Sequence, residues 1–408
     1  MSTSGGSNLS HYKARLLKLL SDLRAGYWFI PGCLMLLAVG LARLMIWIDA
    51  TQDPSSVLPP DMTNTNIDGA RTILSVIAQS MIGVAGVTFS ITMVAVAHAS
   101  ANFGPRLIGN FMRDRGTQWS LGILISTFVY ALLVLRSVQA PIDGEVSQFV
   151  PQLSIVVAMG LALLCVATVI YYVHHVPETI NVSNIAEALG RKLIHRLERT
   201  AHDEELDQTV TEETATSELT LNYDGYVQQL NVEDLAEIAK EDGLSVHIVA
   251  APGVFVIAGT PIALMSAEPS DACGTALRRC FALGKERTED QDVLFLIAQQ
   301  VEMLARALSP GVNDPYTAIN CLNWLAAGLA AADRSGQYFG LEGRETTSVP
   351  PLTWQRLLDA SFHESWAYVQ ADALAREHWF ALLDRMSVSD ANRDAIRRML
   401  AQCRETAE

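Results

Sequence analysis

The sequence predicts a mainly α membrane protein, with a four-helix transmembrane region followed by a cytosolic α+β region. Three observations carry that prediction. Four apolar stretches, Tyr27–Ile48, Thr72–His98, Trp119–Val138 and Val150–Val173, lie within the first 175 of 408 residues. Each is about 20 or more residues long, enough for a helix to cross a hydrocarbon core of about 30 Å. Barrel strands are excluded, because they are shorter and alternate in polarity. Basic residues crowd alternate connecting loops, and beyond residue 217 short β segments give way to amphipathic helices.

Residues 1–26 read as a cytosolic amphipathic segment, in which small residues from Ser2 to Ser7 precede Lys13, Arg15 and Lys18. No short apolar region ends in a small-residue cleavage site, so the first span is expected to be retained. Residues 27–175 form the transmembrane domain. Basic residues flanking short loops set orientation. Lys13, Arg15, Lys18 and Arg24 precede span one; Arg106, Arg113 and Arg115 lie between spans two and three; Arg191, Lys192, Arg196 and Arg199 follow span four. Of the other two loops, Ala50–Arg71 holds only Arg71 and Gln139–Phe149 holds no basic residue. Both termini are therefore expected in the cytoplasm.

Span two is the least lipid-like. Ser75, Gln79, Gly83, Gly86 and Ser90 recur at three- and four-residue spacing and make one small, polar helical face. Thr88, Thr92 and His98 add polarity on neighbouring faces. Two readings stay open: a contact where small residues let helices approach, or a hydrated pore lining repeated by homo-oligomerisation. Arg43 and Arg136 fit snorkelling to the headgroups; with Arg71 they would also form a basic outer mouth that attracts anions. Gly104–Pro105 breaks the second helix, and the arginines after it suit anionic headgroups. His174 and His175 are adjacent, about 100° apart on a helix, and so make a poor joint metal site. They read as interfacial anchors, with pH sensing as the alternative.

Residues 176–217 comprise a juxtamembrane helix and an acidic linker. Pro177 ends or kinks span four, and Val182, Ala186, Leu189, Leu193 and Leu197 then make an apolar helical stripe. Residues 218–267 form a small β-rich subdomain, with segments at Leu219–Leu221, Tyr226–Leu230, Leu244–Val249, Val254–Ile257 and Ile262–Met265 separated by Gly-containing turns. The run from Pro252 to Ile262 resembles the hammerhead turns of barrel-sandwich carrier domains, which predicts a barrel-like subdomain, without the exposed Lys of a carrier arm. Residues 268–408 form a helical subdomain. Thr288-Glu-Asp-Gln291 reads as a capping box opening a helix to Leu308. After Ser309-Pro-Gly311, Asp314-Pro315 starts another helix, with Asp as N-cap and Pro in the first turn.

The net charge of −15 lies mostly beyond residue 200, which argues against a nucleic-acid partner. Six scattered cysteines contain no C-x-x-C pair, so no metal site is predicted and reduced thiols are expected. No phosphate loop, nucleophile elbow or His-containing triad is present, so no enzyme, catalytic residue or cofactor is expected.

Two runs, Arg287-Thr-Glu-Asp-Gln-Asp292 and Leu308-Ser-Pro-Gly-Val-Asn-Asp-Pro-Tyr-Thr-Ala318, closely resemble a bacterial family of predicted membrane proteins, domain of unknown function 2254. Tyr27-Trp-Phe-Ile-Pro31, Gly86-Val-Thr-Phe-Ser-Ile91, Phe103-Gly-Pro-Arg106 and Phe128-Val-Tyr130 resemble its membrane half. The resemblance implies four spans, a cytosolic domain and the bacterial plasma (inner) membrane, and brings no activity. In its two cytosolic motifs, Arg287, Gln291, Asp292, Asn313, Asp314 and Thr317 are expected to gather at facing helix N-termini. Such termini favour anions, so a small anionic or nucleotide ligand competes with a buried capping network as the reason for them. The expected function is an oligomeric ion channel or transport pore controlled by its cytosolic domain; the alternative is a membrane-anchored ligand sensor or scaffold.

Overall fold

The computed structural model describes residues 27–52, 65–104, 111, 114–139, 149–202 and 214–407. The predicted N-terminal segment, Arg106, Arg113 and residues 203–213 of the linker lie outside them.

Four apolar helices long enough to cross a bilayer come first: α1 (Phe29–Thr51), α2 (Ile67–Phe103), α3 (Arg115–Ser137) and α4 (Gln152–Thr179). They form one compact unit with residues up to Asn181. Half of the apolar window of α3 is buried but only 17% of that of α2, so α3 is central and α2 peripheral. Gly122 brings α1 onto α3, since a Cβ there would lie 2.6 Å from Leu34 Cδ1 and 3.2 Å from the Pro31 Cα. Close approach of this kind replaces the hydrophobic drive that helices lack in lipid. Leu74, Ala78, Tyr130, Val134 and Ile155 share the core at one end of the bundle.

Several polar groups inside this unit are paired across helices. Asp49, near the end of α1, accepts from the backbone N–H groups of Leu153 and Ser154, both at 2.9 Å, and from Ser154 Oγ at 2.6 Å. It therefore caps α4, whose own Pro151 offers no side-chain cap. Tyr172 on α4 donates to the Thr88 carbonyl at 2.7 Å and lies 2.7 Å from Thr92 Oγ1, fastening α2 to α4.

The second unit comprises residues 102–104 and 182–408. It opens with α5 (Val182–Thr200), two residues beyond α4, which ends just after Pro177. Then follow β1 (Ser217–Thr220), β2 (Gly225–Leu230), α6 (Val232–Glu241), β3 (Val246–Ile248), β4 (Phe255–Val256), β5 (Pro261–Met265), α7 (Asp271–Arg279) and β6 (Phe281–Gly284). The predicted barrel does not close: among the described residues the strands form open sheets ordered β1-β5-β3-β8 and β4-β2-β6, where β8 is Thr347–Ser348. One core, including Leu219, Leu230, Val246, Leu235 and Leu277, joins both sheets to α6 and α7. The helices cover apolar surface that closure would otherwise hide. The β-rich part also extends past residue 267, because β6 pairs antiparallel with β2 and β8 pairs parallel with β3.

The helical part contains α8 (Val293–Ala307) and α9 (Pro315–Ser335). A strand pair, β7 (Tyr338–Phe339) and β9 (Leu352–Thr353), leads to α10 (Trp354–Leu358), a π-helical turn at Asp359–His363, α11 (Glu364–Val369), α12 (Ala373–Arg385) and α13 (Asp390–Ala407). Trp379 is fully buried, with the rings of Phe362 and Trp366 packed at a tilt against it. The buried face of α5 is Ile185, Ala186, Leu189, Gly190, Leu193 and Leu197, which matches the predicted stripe except at its first position.

Candidate functional site

The polar face of α2 points away from its own bundle. Gln79, Gly83, Gly86 and Ser90 are exposed and Ser75 half-buried, whereas Leu74, Ile77, Ala78, Ala85, Thr88 and Thr92 are buried. At 100° per residue, the two sets lie about 150° apart around the helix. A Cβ added at Gly83 or Gly86 would meet nothing within 4 Å. The glycines therefore serve no helix contact among the described residues. Ser75 Oγ donates to the Thr72 carbonyl and Ser90 Oγ to the Gly86 carbonyl, so both hydroxyls are satisfied by their own helix. Gln79 differs: among the described residues no group partners its carboxamide.

The loop before α8 is a junction. Asp292 is its centre, 5% exposed, and it caps α8 by accepting from the Phe295 N–H at 3.2 Å. The capping residue is thus Asp292 and not Thr288, and the helix starts five residues after Thr288. The chain is held extended there because Gln291 accepts from the Leu230 N–H at 2.7 Å and donates to the Leu230 carbonyl at 3.1 Å, replacing a strand neighbour for β2. Arg287 meets the Asp292 carboxylate through Nε and a terminal nitrogen, both at 2.7 Å, and stacks over Phe295. Gly253, at φ +94°, lies directly against that carboxylate, where any side chain would collide. Burial pushes the Asp292 carboxyl above its usual range, although Arg287 and the α8 N–H groups pull it down. Glu289 reaches α5 by pairing with Lys192 at 3.1 Å. One loop thus joins α5, β2 and α8.

Asn313, Asp314 and Thr317 lie elsewhere. Asp314 caps α9, accepting from the Thr317 N–H at 3.2 Å and from Thr317 Oγ1 at 2.6 Å. Asn313 takes φ +51°, the left-handed conformation that closes the corner. The two motifs sit at opposite ends of α8, whose 15 residues span about 22 Å. The expectation of facing N-termini is therefore corrected: consecutive helices joined by a tight corner run antiparallel, so the start of α9 adjoins the end of α8. No single ligand the size of a nucleotide touches both sets, and every charged member is occupied by a cap or an ion pair.

Sequence reasoning missed Asp49, whose capped partners are 104 and 105 residues away. It also treated His175 as an anchor; His175 Nε2 lies 2.9 Å from Asp114 Oδ2, and Asp114 caps α3 through the Thr117 N–H at 2.7 Å. The thiols of Cys280 and Cys321 are pushed up to about 12 by burial, so neither is a ready nucleophile.

These features define a membrane protein with four spanning helices and a mixed helix-and-strand unit appended to them. The chain belongs to the family described as Predicted membrane protein (DUF2254), which it matches over residues 24–385. An uncharacterised protein of Mycobacterium bovis and one of Mycobacterium tuberculosis are each 29% identical to it over 338 residues, covering 80% of this chain and 63% of the relative. The chain thus spans less than two thirds of the length of these relatives. No solved structure matches it.

Proposed function

We propose that copies of this protein assemble through α2 into an ion- or solute-conducting pore in the bacterial plasma membrane, with both termini and the second unit in the cytoplasm. The observation that carries this reading is the outward stripe Ser75, Gln79, Gly83, Gly86 and Ser90, and above all Gln79. A carboxamide facing hydrocarbon without a partner costs several kcal/mol, roughly 2–7. Water in a lumen or the same residue of another copy removes that cost. The open space at Gly83 and Gly86 leaves room for either. A second reading, in which α2 merely joins copies of a membrane-anchored sensor or scaffold through a dry contact, draws support from the self-satisfied hydroxyls of Ser75 and Ser90.

Both readings are tested on protein reconstituted in liposomes. A Gln79→Cys variant should cross-link to itself by oxidation in the bilayer, and Gln79→Leu should lower ion flux. Gln79→Glu separates the readings: in a wet lumen it shifts selectivity towards cations with assembly intact, and in a dry contact it disrupts assembly. Absence of both cross-link and flux sinks the proposal.

A further inference from the structure

The corner between α8 and α9 carries exposed apolar groups on an internally bonded frame. Tyr316 is 74% exposed and Val312 46%. Beneath them, Ser309 Oγ donates to the Arg306 carbonyl at 2.6 Å, the Asn313 N–H to the Ser309 carbonyl at 2.9 Å, and the Asp314 N–H to the Ala307 carbonyl at 2.8 Å. With Asp314 occupied as a cap, this frame holds Tyr316 and Val312 outward.

Contacts within the second unit set this corner at the end of the unit where α5 begins. α5 and α9 run parallel, for Gly190 packs on Trp324, Leu193 on Gly328 and Ala201 on Gly336. The paired numbers differ by 134 or 135 throughout. Extended back to the first residue of α5, the same offset sets Val182 level with Tyr316 and Thr317. The helix of span four ends at Thr179, so at most about 10 Å of chain separates it from Val182. α8 runs the opposite way, with Gln300 Nε2 donating to the Ala186 carbonyl at 3.1 Å. A second marker agrees: Gly104, just beyond the end of α2, packs against Glu302, where a Cβ would lie 2.5 Å from Oε1. Gly104 and the first turns of α5, the two places where the chain passes between the spans and the second unit, therefore both lie towards the end of α8 that leads into the corner.

We propose that the Ser309–Thr317 corner docks on the bilayer, with Tyr316 and Val312 seated at the boundary between phospholipid headgroups and acyl chains. A Tyr ring with an apolar body and polar tip is suited to that boundary. The run from Leu308 to Ala318 contains no Lys, Arg or Glu, and its one charged residue, Asp314, is bonded to Thr317 as a cap, so the attraction is apolar and insensitive to lipid charge. The lipid is the occupant because the covalent path of each copy brings the corner to it.

The test uses the full chain in phosphatidylcholine vesicles, in a Cys33→Ser background. An environment-sensitive fluorophore is placed at Tyr316→Cys, at Val312→Cys, and at Asp290→Cys as the control at the far end of α8. The expected result is quenching at 316 and 312 by lipids carrying a nitroxide on the acyl chain, with none at 290, and equal quenching in vesicles with added anionic lipid. Aqueous emission without quenching at 316 and 312 overturns the proposal. So does blue-shifted emission without quenching, which would show that protein, such as a second copy, covers the corner.

Discussion

At Asp292 one carboxylate closes the N-terminus of α8, holds Arg287 and lies against the bare backbone of Gly253. Polarity in this motif is used for folding, and the buried charge is tolerated because each oxygen has a donor. Replacing Arg287 by Met should expose the balance. The variant keeps the aliphatic stem over Phe295 but leaves Asp292 ionised and unpaired, at a cost of about 2 kcal/mol, the low side for a buried pair because Arg287 is partly open to solvent. Burial already raises the Asp292 pKa, and loss of Arg287 raises it further above the unfolded value of about 3.9. A group with a raised folded pKa contributes stability below its unfolded pKa and loses it as pH rises through the folded one. The variant should therefore melt nearly like the parent at about pH 4 and progressively lower towards neutrality. Melting curves of the detergent-solubilised protein across that range check it, and a pH-independent deficit would show that the pair is not what matters. Arg287 and Asp292 were legible in the sequence as a polar motif. Their partners Gly253 and Phe295 were not, because nothing local in the sequence reports which turn packs on which cap.

Helix ends show the same division between what is local and what is distant. Asp314-Pro315 announced the start of α9 correctly because cap, proline and bonded Thr317 lie within four residues. The capping box at Thr288 failed because Gln291 bonds to Leu230, 61 residues away, and that tertiary contact holds the segment out of the helix. The cap of α4 comes from α1 through Asp49, a connection no sequence window contains. It lends itself to a sharp measurement. Asp49→Ala removes the acceptor for two backbone N–H groups and one hydroxyl inside a membrane bundle, at about 1–3 kcal/mol for each donor left unsatisfied. Asp49→Asn retains one acceptor oxygen and should lose less. Thermal unfolding of both variants in detergent should rank them parent, Asn, Ala. Equal stability of all three would mean that water satisfies the start of α4 and that the cap is incidental.

At the scale of the whole molecule, apolar run length revealed the four spans, and periodicity revealed that α2 has a distinct face. Periodicity does not say what a face meets, so only the folded bundle showed that the stripe at Gln79 is turned outward while Thr88 and Thr92 are turned in. The helix itself is longer than a bilayer requires: its 37 residues extend about 55 Å against a core of about 30 Å. It runs from the membrane unit to residues that pack with the second unit, as the chain does again between Thr179 and Val182. Movement of the second unit thus has two direct covalent routes into the spans, one of them the helix that bears the stripe. Control from the cytoplasm requires that the second unit lie there. The sequence bears on that side through its charges: basic residues flank the ends of the spans joined to the second unit, and the two opposite loops between them hold a single Arg71. On that bias we propose that the basic side faces the cytoplasm. In a Cys33→Ser background, a membrane-impermeant maleimide applied to intact cells should label Ser56→Cys and Gly144→Cys. Glu218→Cys, on the exposed side of β1, should react only after permeabilisation. The inverse pattern would put the second unit outside the cell, and cytoplasmic control of an α2 pore would fall with it, while the outward stripe and the assembly proposed through it would stand unchanged.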